Sequence, residues 1–228
     1  ILLRVLRAGR ALFFSFSLID AKKFVAFIHS FSGALGVLDG GTTVQDAPML
    51  DSGLMDENTS SEVLEMQNFQ KLEETIQEYL NENQLSESVT VLEEEAGLLL
   101  RFQDNILFDS GSADLKPESL EIMSYIAQLL NTEDFEDKFI SIEGHTDNVP
   151  MNSPRYPSNW ELSVGRSSNV VRFLVENNNM DPKRISASGY SEYHPVAPND
   201  NAEKRAKNRR VDILILKTIH YKDSSKNQ

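Results

Sequence analysis

The sequence predicts an α/β sandwich, one sheet with helices packed on it. Two observations carry this reading. Between Ser86 and Lys217, short runs with strand alternation take turns with longer runs that have helical periodicity. Each helical run carries one apolar stripe, which is buried when it lies on a sheet face. At 228 residues the chain is long enough for one good core plus accessory segments.

The segment 1–39 opens with I-L-L-R-V-L-R-A-G-R, which places Arg4, Arg7 and Arg10 at every third position. Ala11 to Ile19 is apolar, and Asp20 with two lysines then interrupts it. A spanning helix needs about 20 mostly apolar residues, and arginines are costly in lipid. The stretch therefore reads as the end of a membrane span. It has no small-residue cleavage site of the kind a signal peptide carries. Residues 20–35 are amphipathic, with Phe24, Phe27, Ile28 and Phe31 on one face. Such a helix packs on a partner or lies at a membrane surface.

Residues 40–61 are rich in Gly, Ser, Thr, Asp and Asn without periodicity and read as a flexible tether. Residues 62–85 read as a helix with Leu72, Ile76, Tyr79 and Leu80 on one stripe, extended less regularly by Leu64 and Phe69. That stripe docks either on the chain's own domain or on a second copy, and a dimer contact is the expectation.

The domain 86–217 starts with two strands joined at Glu94 to Gly97, and Ile106 to Phe108 continue the extended pattern. Pro117 suits the first turn of a helix that buries Leu120, Met123, Ile126, Ala127 and Leu130. A strand over Lys138 to Glu143 follows. Ser158 and Glu161 fit a capping box for a helix to Glu176, with Leu162, Val170, Phe173 and Leu174 on its core face. R-I-S-A-S-G-Y is a short strand, N-A-E-K-R-A-K-N a basic helix and R-V-D-I-L-I-L the last strand. The tail 218–228 is polar.

One stretch, Ile140 to Arg166, carries chemistry. An apolar strand ends at Gly144, and a polar turn with His145, Thr146 and Asp147 follows. After a loop with three prolines comes the helix that bears Arg166. An acid at a strand end and an arginine on the next helix can face each other across a shallow pocket. A zwitterion fits there, its ammonium on the carboxylate and its carboxylate on the guanidinium. The plainer reading makes Asp147 a turn cap and Arg166 a solvated helix charge. Thr146 and Asn148 are rim candidates, and Leu162 lies under the pocket or lines it.

G-H-T-D, L-S-V-G-R, G-Y-S-E-Y-H-P-V-A-P-N and R-A-K-N-R-R-V occur in this order within roughly Ile106 to Leu216. Together they resemble the OmpA-like peptidoglycan-binding domain. Y-P-S-N-W-E-L-S and S-F-S-L-I-D-A-K-K-F resemble the MotB-like flagellar stator subunits. The resemblance implies an α+β domain with one mixed sheet. It implies that Asp147 holds the diamino acid of the peptidoglycan stem peptide with Arg166 as its partner. It also puts Arg210 or its neighbour near the pocket; strand alternation turns one of the two inward, and Arg210 is the expectation. The loop after Asp147 is longer than in the short OmpA-like form, as in the MotB-like version.

The same resemblance implies a non-catalytic wall anchor that works as a homodimer with a MotA-like membrane subunit. The location implied is the inner (plasma) membrane, single-pass, with the C-terminal domain on the periplasmic or wall side. Stator subunits of this family carry an aspartate in their transmembrane helix. The matching stretch, L-L-R-V-L-R-A-G-R, has no acid. The start is therefore expected to be truncated or frame-shifted, or the ion-carrying step lost, and the coupling ion is not legible. Residues 20–35 become a candidate plug helix. The competing reading is an OmpA-like envelope anchor with no motor role.

Composition narrows the classes. A net charge of -13 and a pI near 4.8 argue against a general nucleic-acid binder, and K-R-A-K-N-R-R is too short and too embedded to reverse that. With no cysteine there is no disulfide and no thiolate metal site. Four scattered histidines give no metal-binding spacing. Glu143, His145 and Asp147 alternate and could share a face toward a metal, which is weak without further ligands. No nucleophile elbow, P-loop or dinucleotide fingerprint appears. Neither a cofactor nor catalysis is expected, and a wall hydrolase is the third class to exclude.

Overall fold

The computed structural model describes residues 57–218, the first four by their backbone alone. The expectations for 1–39, for nearly all of the tether and for the tail lie outside the described residues. In chain order the elements are α1 (Glu57–Glu82), β1 (Val89–Glu94), β2 (Gly97–Gln103), α2 (Asp104–Leu107), α3 (Pro117–Leu130) and β3 (Ile140–His145). Then come α4 (Asn159–Asn178), a 3-10 turn (Pro182–Arg184), β4 (Ile185–Gly189), α5 (Ala202–Asn208) and β5 (Arg210–Leu216).

The strands form one mixed sheet in the order β1-β2-β5-β3-β4. Only β3 and β4 run parallel. A parallel pair needs a crossover, and α4 supplies it. Alternation sends Leu98, Leu100 and Phe102 of β2, Ile140 and Ile142 of β3, and Val211, Ile213 and Ile215 of β5 into one core. Ile122, Met123, Ile126, Ala127 and Leu130 of α3 and Val170 and Leu174 of α4 cover them. In α3 the inward residue is Ile122, while Leu120 is only half-buried.

Helix α1 settles which of its two candidates takes the apolar stripe. Phe69, Leu72, Ile76 and Leu80 are buried in the domain's own core, with Phe69 edge-on to Phe135 at 5.7 Å. Its outer flank is tied by Tyr79 stacked on Tyr125 at 3.8 Å. Glu65 holds Lys138 at 2.9 Å and accepts from the Thr218 hydroxyl. The stripe is thus filled by its own chain rather than by a second copy. Of the two less regular members, Phe69 is buried and Leu64 is exposed.

Two glycines bring α4 close to the sheet. Gly144 and Gly189 are paired across β3 and β4. A Cβ on Gly144 would stand 2.1 Å from the Ser163 carbonyl oxygen, and one on Gly189 would stand 2.5 Å from the Val164 nitrogen. Side chains at these positions would lift the helix off the strands. Their absence fixes how far Arg166, the next turn along, reaches over the sheet end.

The extended pattern expected through Ile106 to Phe108 does not continue. The chain turns into α2 straight after β2, and the Phe108 N–H closes the turn on the Asp104 carbonyl at 2.8 Å. This puts Leu107 and Phe108 into the core and leaves Asp104 at the sheet end.

Candidate functional site

The site lies where β2 and β3 end and β5 begins. The ladder pairs Gln103 with Arg210 and Arg210 with His145 in one row across the three strands. One step further out come Asp104, Arg209 and the turn bearing Thr146 and Asp147. The Asp104 N–H bonds the Arg209 carbonyl at 3.0 Å, and the Thr146 N–H bonds the Ser191 carbonyl at 2.9 Å. A cleft of about 320 Å³ opens there, lined by Asp104, Thr146, Asp147, Leu162, Arg166 and Arg209, with Val149, Pro150 and Met151 as an apolar wall.

Asp147 and Arg166 do line one pocket, but other charges stand between them. Asp147 Oδ2 accepts from Arg209 Nη1 at 2.7 Å. Arg209 Nε lies 3.4 Å from Asp104 Oδ2, and Arg166 Nη1 lies 3.3 Å from the same oxygen. The chain of charges runs Arg166–Asp104–Arg209–Asp147, two of each sign. Arg166 is 1% exposed, Asp147 5% and Asp104 7%. Arg166 Nε donates to the Ser112 carbonyl at 3.0 Å, and its guanidinium sits 5.1 Å over the Phe108 ring. It is a held, desolvated cation and no solvated helix charge.

The shifts in acidity follow from burial and pairing. Burial pushes the Asp104 carboxyl above its ordinary range, against the pull of Arg166 and Arg209. Burial pulls Arg166 below its usual value, with Asp104 opposing. Arg209 is also penalised by burial, but its bonds to Asp147 and Asp104 outweigh this and raise it.

Asn159 at the start of α4 sets the position of Asp147. Its amide nitrogen donates to the carbonyls of Asp147 and Val149 and to Glu192 Oε2, at 3.2, 3.1 and 3.0 Å. Its amide oxygen accepts from the Met151 N–H at 3.2 Å. Asp147 Oδ1 accepts from the Val149 N–H at 3.0 Å, the local cap that a turn aspartate makes. That leaves Oδ2 for the pocket. Ser158 caps α4 through the Trp160 N–H.

The other expected site residues divide. Thr146 lines the pocket and donates from its hydroxyl to the Asp147 carbonyl at 3.0 Å. Leu162 lines it too, backed by Ala113 and Tyr156. Asn148 is exposed and lies off the pocket. Arg210 also lies off it, in a correction to the expectation. It points to the opposite sheet face, where Nε bonds Asp212 at 2.9 Å and Nη2 bonds the His194 carbonyl at 3.1 Å. Arg101 grips the same Asp212 in two bonds, at 2.9 and 2.8 Å. Arg209 takes the pocket instead, and parity explains it: residue 209 shares the inward side of Val211, Ile213 and Ile215. The same rule finds Asp104, which follows Leu98, Leu100 and Phe102. Among the described residues no His, Cys, Asp and Glu group is arranged to hold a metal.

Comparisons with known proteins agree with this architecture. The OmpA family model matches residues 107–209. Motility protein B of Bacillus subtilis (strain 168) is 33% identical over 231 residues, spanning 94% of this chain and 87% of the relative. The chain belongs to the motility protein B family. A MotB-like protein from Desulfovibrio vulgaris superposes with a TM-score of 0.59 at 28% identity, over 67% of this chain and 90% of that one. The cell wall anchor of the T6SS from Pseudomonas aeruginosa superposes at 0.55 with 33% identity, over 61% of this chain and 94% of that one. The shared part is the sheet-and-helix domain that carries the pocket.

Proposed function

We propose that this chain is the peptidoglycan-binding anchor of a flagellar motor stator, fixing an ion-driven torque generator to the cell wall. The supporting observation is that Asp147 and Arg166 line one pocket carrying charges of both signs, in a chain of the motility protein B family. The ligand is the diamino acid of the stem peptide, which offers one ammonium and one carboxylate. The pocket is lined by Asp104 and Asp147 and by Arg166, Arg209 and Arg205, and a zwitterion, being net neutral, enters without changing its total charge. Its ammonium takes the place of Arg209 on Asp147. Arg209, whose side chain is 36% exposed, turns with Arg166 toward the carboxylate. Charge-assisted bonds at both ends then replace the internal ones.

The grip is non-covalent and breaks no bond. In this reading residues 1–39 are the membrane-side part of a single-pass plasma-membrane protein, the stretch from 40 to the start of α1 is its tether, and α1 with residues 86–217 forms the wall-side domain. A MotA-like subunit and a second copy of the chain complete the stator. No helix among the described residues is long and apolar enough to cross a membrane.

Co-sedimentation of the full chain with isolated sacculi tests the reading, beside Asp147→Asn and Arg166→Ala. Losing one member of a desolvated charge pair costs about 2–5 kcal/mol. Wild type should pellet at micromolar protein and both variants should remain in solution. Wild type left in solution, equal pelleting by the variants, or muropeptides released from the sacculi would each contradict it.

A further inference from the structure

Beside the pocket lies an aromatic pair that the clamp does not use. Trp160, the residue after Asn159, is 47% exposed, and Tyr193, the residue after Glu192, is 65% exposed. Their rings stack with centroids 5.5 Å apart and planes 28° from parallel. Most large apolar side chains of this domain are buried, so two stacked and open aromatic faces at the pocket rim stand out. The pair is built in: Asn159 Nδ2 donates to Glu192 Oε2 at 3.0 Å, a side-chain bond that ties the two segments together just before the aromatic residues. Asn159 also holds the Asp147 turn, so platform and clamp share one anchoring side chain. Val164, one helical turn past Trp160, is exposed and extends the apolar strip along α4.

We infer that Trp160 and Tyr193 form a carbohydrate platform for the amino-sugar backbone of the wall polymer. The inference rests on the peptide-clamp reading and extends it. A sugar ring presents an apolar face of C–H groups and a rim of hydroxyls, and aromatic faces with a polar tip suit both. The two amphipathic rings bring an indole N–H and a phenolic hydroxyl, both able to hydrogen-bond such a rim. A glycan strand is joined to its stem peptide within a few residues of the clamped amino acid. A residue of extended chain spans at most about 3.3–3.6 Å, so a sugar must lie close beside any clamped peptide. Among the pocket's borders, the Asn159–Glu192 side is the one that offers open aromatic faces.

Trp160 is the single tryptophan of the chain, so intrinsic fluorescence reports on the platform directly. The full chain is titrated with glycan strands stripped of peptide by an amidase and, separately, with free stem peptide. Peptide-free glycan should shift or quench the emission. Tyr193→Ala, which keeps the reporter, should weaken glycan binding about tenfold while leaving stem-peptide affinity unchanged. Trp160→Ala, followed by calorimetry, should do the same, with both variants melting as the wild type does. Unaltered emission with glycan while stem peptide still binds would overturn the platform and leave the clamp standing. Equal loss of peptide and glycan binding in Tyr193→Ala would also overturn it. If neither stem peptide nor sacculi bind the wild type, the clamp reading fails and the platform falls with it.

Discussion

Removing Asp104 should unbalance the pocket more than removing either residue at its ends. The Asp104 carboxylate lies between two guanidinium groups, 3.3 Å from Arg166 and 3.4 Å from Arg209. In Asp104→Ala the half-exposed Arg209 keeps Asp147 and water. Arg166 is buried and keeps only the Ser112 carbonyl and the Phe108 face. Breaking a buried pair by removing one partner costs about 3–5 kcal/mol. The cleft is open on one side, so the lower end applies. A loss of about 3 kcal/mol lowers the melting temperature of a domain of this size by roughly 6–12 °C. Thermal unfolding followed by circular dichroism measures it. The companion variant Asp104→Ala/Arg166→Met removes both charges and leaves an apolar contact on Phe108. It should recover most of the lost stability while still failing to bind sacculi. A single-variant loss under about 1 kcal/mol, or a double variant less stable than Asp104→Ala, would refute the charge chain.

Three further outcomes follow from the same geometry. Gly144→Ala should cost about 1–3 kcal/mol, because its Cβ would meet the Ser163 carbonyl, and wall binding should fall as Arg166 is displaced; melting and co-sedimentation check both. A chain beginning at Ser86 loses four buried side chains of α1, each contributing about 1.5–3 kcal/mol, and should elute as an unfolded or aggregated species in gel filtration. His145 is buried with neither ring nitrogen hydrogen-bonded, its nearest carboxylates being Glu143 at 3.8 Å and Asp212 at 3.9 Å. Burial, aided by Arg210, holds its pKa below the ordinary 6.5. The unfolded chain therefore binds a proton first, so stability is full above about pH 6.5 and is lost as pH falls toward the folded value. His145→Gln should flatten that acid slope in melting curves, and an unchanged slope would count against it.

The strands and helices were legible because their periods are strong. Val211, Ile213 and Ile215 can only be one buried face of a strand, and Leu72, Ile76 and Leu80 one face of a helix. The pocket's two ends were legible because Asp147 and Arg166 sit inside spaced motifs. Its middle was not. Asp104 follows β2 without any motif, and the apolar run Ile106 to Phe108 reads as more strand, which hides the turn that brings Asp104 to the site. Arg209 and Arg210 are neighbours of one type, and only inward parity, carried back from Val211, separates them. The partner of α1 was ambiguous for a different reason. An apolar stripe says that something covers it, and the covering residues, Phe135 among them, lie far along the chain. Asn148 looked like a rim residue by adjacency, yet the turn that aims Asp147 inward leaves its successor in solvent.

The most direct measurement is calorimetric titration of the full chain with stem peptide whose diamino acid keeps both free end groups. It is compared with the same peptide acetylated on the ammonium or amidated on the carboxylate. The clamp requires both charges, so blocking either should weaken binding by at least about tenfold. The acetylated peptide should be insensitive to Asp147→Asn, since it offers that carboxylate nothing to hold. Equal affinity for the free and blocked peptides would contradict the account.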